Sequence, residues 1–183
     1  MKKNKMFFNV ILIFGVFFAC TGSPTPVYTP AAVVVTEEVN LPGTVYNVNG
    51  HRYMVVNESR TWNDANSEAE KRGGYLATIS DADEQRFIEN LINENGDRNH
   101  YWLGGYRNST NEWVWVDGTQ FNYTNWASGR PDNFGGREDK LIIARTQSPI
   151  GARPGQWDDV FDTINTDGDS YWRSIGFIIE WTN

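Results

Sequence analysis

Apolar and polar positions alternate with a period of two on both sides of Gly50, through Val45-Tyr46 before it and Tyr53-Met54-Val55-Val56 after it. A glycine between two such runs predicts a β-hairpin over Tyr46 to Val56. The period then changes. Trp62, Ala65 and Ala69 recur at helical spacing, Ser59 or Thr61 can cap the turn ahead of them, and Gly73-Gly74 ends the helix. Tyr75 to Ile79 reads as a short link. A second helix follows, with Ser80 as cap, Asp83 completing a capping box, and Phe87, Ile88, Leu91 and Ile92 on its buried face before Asn95-Gly96 stops it. From Tyr101 helical spacing disappears. Short strands are predicted at Tyr101 to Gly104, Trp113 to Val116, Lys140 to Ala144 and Ile175 to Trp181, separated by polar stretches 117–139 and 145–174. The pattern is α+β, two helices packed on short antiparallel sheets. Loops of that length in a compact domain usually carry function, so a ligand is expected there.

The front of the chain follows other rules. Lys2, Lys3 and Lys5 precede the apolar run Met6 to Ala19, which is too short to span a bilayer comfortably and predicts a signal sequence. The ending Phe17-Phe18-Ala19-Cys20 resembles the lipobox of bacterial lipoproteins, with Phe17 where Leu is common. That resemblance implies lipidation of Cys20 and a lipid anchor in the bacterial cell envelope, at the outer membrane or cell surface. Pro24, Pro26, Pro30 and Pro42, spaced by Thr, Ser and Gly, predict an extended tether in which Val33 to Val35 is a candidate first strand. The organisation expected is a signal sequence at 1–20, a tether at 21–43 and one folded domain at 44–183. Cys20 is the chain's one cysteine, so no internal disulfide can hold the domain and packing must do so, with eight Trp available for it.

A net charge of −7 argues against nucleic acid and anionic membrane surfaces as partners, since both demand clustered Lys and Arg. Neutral or cationic ligands suit the chain better.

Seven blocks then occur in a telling order: Trp62-x-x-Ala65-x-x-x-Ala69, Gly73-Gly74-Tyr75-Leu76-Ala77, Tyr101-Trp102-Leu103-Gly104-Gly105, Trp126-x-x-Gly129-x-Pro131-Asp132-Asn133, Glu138-Asp139, Trp157-Asp158-Asp159 and Phe177-Ile178-Ile179-Glu180-Trp181. Together they resemble the C-type lectin-like domain over nearly the whole folded part. The resemblance implies that fold, with a long ligand-binding loop region, and carbohydrate binding assisted by calcium. The family's disulfide positions are Ala69, Lys140 and Ile179 here, so its staples are absent. Carried over by position, the calcium ligands are Asp132, Glu138, Asp158 and Asp159, with Arg130 where the family has Gln or Glu. Carboxylates suit a hard cation that takes six to eight oxygens. A guanidinium has only donors. Either Arg130 turns outward and the four acids bind the ion, or it pairs with Asp132 or Glu138 and supplies the positive charge itself. The Pro131-Asp132 form implies a weak preference for galactose-type sugars, with Asn133, Phe134 and Arg130 contacting the ligand.

Blander readings cover the rest. Trp102, Trp113, Trp115, Trp126, Trp157 and Trp181 are expected in the core, and Asp167-Gly168-Asp169 as a turn. His51 and His100 are isolated and read as structural. No reactive cysteine, histidine-activated serine or Gly-x-Ser-x-Gly element offers a nucleophile, so no catalytic residue is assigned. The expectation is a lipid-anchored, calcium-dependent lectin for a carbohydrate or glycoprotein. Its alternatives are a calcium-independent domain that binds a protein receptor and, more weakly, a glycoside-cleaving enzyme.

Overall fold

A computed structural model describes residues 34–35, 44–48, 50–148, 151–162 and 175–182. The signal sequence, Cys20, most of the tether and Asp167-Gly168-Asp169 lie outside the described residues. Those described belong to one compact unit, Ala32–Asn183.

The order is β1 (Val34–Val35), β2 (Tyr46–Val48), β3 (His51–Val56), α1 (Trp62–Lys71), β4 (Tyr75–Leu76), α2 (Ala82–Asn95), β5 (His100–Arg107), β6 (Trp113–Trp115), β7 (Lys140–Ala144), β8 (Trp157–Val160) and β9 (Ile175–Thr182). One sheet runs β1-β2-β3-β9-β5-β7-β8, with β4 also on β9 and β6 also on β5. The expected hairpin is there, Tyr46 facing Tyr53 across the turn at Gly50. The expected strand at Val33 to Val35 is Val34–Val35, paired with β2. The sheet is not wholly antiparallel as predicted, because β5 and β9 run parallel, Trp102 beside Phe177.

Side chains alternate across this sheet. Met54, Trp102, Ile142, Phe177 and Ile179 pack on one face with Trp62, Ala65 and Ala69 of α1. Tyr101, Leu103, Leu141, Ile143 and Ile178 pack on the other with Ile88, Leu91 and Ile92 of α2. A helix on each face explains why β9 is buried from Ile175 to Trp181 instead of alternating. Two of the family's disulfide positions, Ala69 and Ile179, lie in the same core cluster. At the third, the Lys140 ammonium sits 4.7 Å from the Trp62 ring, a cation–π contact.

Thr61 caps α1, its side chain accepting from the Asp64 amide. The cap of α2 is Asp81, not Ser80. Its carboxylate accepts from both Asp83 and Glu84 amides, which suits the positive end of a helix better than a hydroxyl. Glu84 rather than Asp83 then reaches back, taking the Ser80 amide and hydroxyl at 2.7 Å each. Phe87 is only half-buried. Gln85 takes the inner place instead, at 2% exposure.

The strand predicted at Tyr101 to Gly104 runs on through Gly105 to Arg107. Gly104 is required there, since a Cβ would lie 2.4 Å from the Leu76 carbonyl oxygen. Within 145–174, read as loop, β8 is a buried strand that pairs with β7 on the side away from β5, with Asp158 opposite Ile142 and Asp159 opposite Leu141.

Candidate functional site

The long segment after β6 is fastened to the core before it reaches the site. Phe121, Tyr123 and Trp126 pack about Trp157 at ring separations of 6.0, 5.8 and 5.7 Å. Trp157 and Ala127 exchange main-chain hydrogen bonds with this segment, the Trp157 amide donating to Asn125 and the Ala127 amide to Trp157. Trp157 is itself aimed by α2: its indole N–H donates to Gln85 Oε1 at 2.9 Å. Trp102, Trp115, Trp157 and Trp181 are core as expected, whereas Trp113 and Trp126 are half-buried at the base of this loop.

Trp126 runs alongside β8 and so carries Arg130 to Asn133 onto Asp158 and Asp159. The Arg130–Pro131 peptide is cis. Asp159, fully buried, accepts from the Asp132 amide at 3.0 Å and the Asn133 amide at 2.8 Å. Glu138 accepts from the Phe134 amide at 2.8 Å, and its own amide donates to Asn133 Oδ1 at 3.0 Å. Asn133, in the left-handed region at φ 48, makes the turn that puts Phe134 outward, 70% exposed. The acids therefore fold the loop as well as charge it.

Of the four expected ligands the structure brings three together. Carboxylate oxygens of Asp132, Glu138 and Asp159 lie within 4.8 Å of one another. Asp158 is not among them. It joins the cluster through Arg130, whose Nε lies 3.1 Å from Asp158 Oδ1, while Nη1 is 2.6 Å from Asp132 and 4.0 Å from Glu138. Of the two outcomes left open for Arg130, the structure has the second: it pairs inward, 14% exposed. A second guanidinium went unforeseen. Arg107, at the end of β5, places Nη2 3.6 Å from Asp159.

Four acids facing two guanidiniums leave carboxylate in excess. Burial pushes Asp158 up to about 7, the Arg130 charge only partly opposing it. Burial likewise pushes Glu138 up to about 7, against the Phe134 amide and with Asp159 adding to the rise. Both Asp158 oxygens are buried and accept no hydrogen bond, the Arg130 contact being ionic only. Converging oxygens and an orphaned buried carboxylate fit a hard cation. Asp132, Glu138 and Asp159 would hold it, with Asp158 alongside.

His51, read as isolated, belongs to a second group with Glu84 and Glu180, its Nδ1 2.5 Å from Glu180 Oε1.

The C-type lectin domain model matches residues 58–166, more than half of the chain. This chain belongs to that family. Among its lectin relatives, ladderlectin of Oncorhynchus mykiss is 32% identical over 114 residues, covering 61% of the chain and 60% of the relative. The galactose-specific lectin nattectin of Thalassophryne nattereri is 39% identical over 77 residues, 40% of the chain and 48% of the relative. The chain thus spans less than two thirds of either lectin's length. The carbohydrate-recognition domain of the human scavenger receptor C-type lectin superposes with a TM-score of 0.61 at 27% identity, covering 79% of this chain and all of that one. In this C-type lectin domain the match to the family model spans both helices and the whole candidate site.

Proposed function

We propose that this domain binds carbohydrate, free or on glycoproteins, through the loop at 130–138 and β8, with galactose-type sugars weakly preferred. The observation that carries this reading is the convergence of Asp132, Glu138 and Asp159 beside an exposed aromatic ring. Sugar hydroxyls donate to carboxylates, and the C–H face of a galactose ring packs on a ring such as Phe134. The Pro131-Asp132 pair and the nattectin relative, named for galactose, support the sugar choice. Calcium, the family's usual ion, would supply direct coordination of sugar hydroxyls. Asp159 and Glu138 also accept from loop amides, a role that suits a binding loop.

The test is retention of the protein on galactose-, mannose- and N-acetylglucosamine-bearing resins, with calcium and with chelator. Elution from galactose resin by free galactose, with unchanged sugar recovered, supports the reading. Passage through every resin in both conditions overturns it. The inward pairing of Arg130 favours one second reading, metal-free recognition of a protein by the same loop, whose sign is chelator-insensitive binding that no sugar displaces.

The anchor belongs to the same proposal. Lys2, Lys3 and Lys5, the apolar run and Cys20 support lipid attachment at a bacterial envelope. Among the described residues no helix is long and apolar enough to cross a membrane. Labelling with an alkyne fatty acid in a bacterial host, lost in Cys20→Ser, is the expected result; label retained by that variant removes the anchor.

A further inference from the structure

We infer that Arg130 is a tethered cation that competes with a divalent ion for the loop carboxylates, so that this residue sets the metal affinity of the site. The inference rests on reading the cluster as a cation site and is independent of which sugar is bound.

Arg130 stands on the chain immediately before Pro131-Asp132, and its guanidinium reaches across three of the four acids: Asp132 at 2.6 Å, Asp158 at 3.1 Å and Glu138 at 4.0 Å. Its side chain is 14% exposed and Asp158 and Glu138 are buried, so although Asp132 is exposed, the contacts with those two are not solvated surface pairs that salt would erase. Two of those acids, Asp132 and Glu138, also belong to the group whose oxygens converge within 4.8 Å. A divalent ion seated on the convergent oxygens would stand within a few ångströms of the guanidinium, where like charges in a partly dry site repel strongly. Ion and guanidinium therefore exclude each other.

A second consequence concerns the loop without metal. Convergent carboxylates, two of them buried, push one another apart with no cation between them and would open the segment they fold. With Arg130 in place, the amides of Asp132, Asn133 and Phe134 remain bonded to Asp159 and Glu138. Arg130 would thus hold the loop formed when no metal is bound. When a divalent ion does bind, Arg130 leaves the cluster and its five donors become available to a ligand's hydroxyls or acidic groups.

The experiment is calorimetric titration of calcium into the chelator-treated protein, as wild type, Arg130→Gln and Arg130→Lys, with melting curves of each. Arg130→Gln is expected to bind one calcium about tenfold more tightly than wild type, or better. Arg130→Lys, which keeps a cation, should stay near wild type. Metal-free Arg130→Gln should melt below metal-free wild type, and calcium should restore it. Equal affinity in wild type and Arg130→Gln overturns the inference while leaving calcium binding intact. No calcium binding by Arg130→Gln overturns it too, and sugar retention in chelator then reads the proposed function separately. Should Arg130→Gln not fold, the Arg130 Nε–H resonance of the wild type decides: displacement by calcium moves it, and calcium binding that leaves it unmoved overturns the competition.

Discussion

The domain holds two clusters of converging titratable side chains, and they are neutralised by opposite means. Where β3, β9 and α2 meet, Glu180 and Glu84 converge beside His51. There every carboxylate oxygen has a fixed donor: Glu180 takes Tyr75, His51 and both the amide and hydroxyl of Thr78, and Glu84 takes Tyr53 and both the amide and hydroxyl of Ser80. In the loop, Asp158 has no such set of fixed donors, and the balancing charge rides on the long side chain of Arg130, which can move away. Short donors on strands and helix ends make a cluster structural. Orphaned oxygens and a movable guanidinium make one able to exchange partners.

The sharpest way to break this contrast is to remove one acid from each cluster. Glu180→Ala strands the buried Thr78 amide and hydroxyl and leaves the half-buried Tyr75 hydroxyl without its acceptor, and is expected to cost on the order of 3 kcal/mol. Asp158→Asn gives up the Arg130 ion pair but also removes a carboxylate whose charged form burial disfavours, so the two offset in part and the loss should be smaller than for Glu180→Ala, on the order of 1 kcal/mol, while ligand retention falls. Urea unfolding of both variants measures this. Comparable losses would mean that the two clusters do the same job.

Acid titration sharpens the comparison once a background is removed. Burial lowers His100 from 6.5 to about 4. Between those values the unfolded chain binds the proton and the folded chain does not, so stability falls as pH drops from about 6.5 toward 4 and levels off below. The limit is on the order of 3 kcal/mol. Glu180, Glu138 and Asp158, all raised by burial, act in the opposite sense: the folded state takes their protons first, so acidification favours the fold. As pH goes from 8 to 4.5, His100→Gln should gain melting temperature relative to wild type, whatever the slope that the carboxyls impose on both. Identical slopes would put the acid sensitivity elsewhere.

Much of this was legible in sequence because it rests on periodicity. Trp62, Ala65 and Ala69 announce α1, and Ile88, Leu91 and Ile92 announce α2, since each must bury one face. β8 was not legible, because Trp157-Asp158-Asp159-Val160 puts two acids in a strand whose side chains are all buried, and alternation cannot signal a strand that hides charge. The helix start moved by one residue because Ser80 and Asp81 are both competent caps and only the fold shows which faces the free amides. The loop acids were found through family resemblance, while Arg107 and His51 were missed because their partners lie 52 and 129 residues away, as Asp159 and Glu180, and nothing local announces them.

Gln85 ties the two regions together, since α2 also carries Glu84. Its side chain takes the Trp157 indole N–H and donates to the Gly155 carbonyl. Gln85→Leu keeps the volume but leaves a buried indole donor unpaired, an expected loss of about 1–2 kcal/mol. Trp157 leads directly into Asp158, so sugar retention should fall as well. A loss of stability with retention intact would show that β8 keeps its course without this bond.

The smallest expected effect on stability is at the loop tip. Phe134 is exposed, and its side chain belongs to neither core cluster, so Phe134→Ala should change unfolding free energy by less than about 0.5 kcal/mol. Its amide, which donates to Glu138, is untouched by the substitution, so the loop keeps its hydrogen bonds. A ring held outward by structure that does not need it is a ring available to a ligand, and retention on galactose resin should drop severalfold. Tyr53 at the Glu180 cluster gives the converse, a buried aromatic whose hydroxyl holds Glu84 and whose replacement by Phe should lower stability and leave retention alone. If Phe134→Ala binds galactose as wild type does, the sugar sits on the carboxylates without the ring, and the proposed preference for galactose loses its aromatic basis.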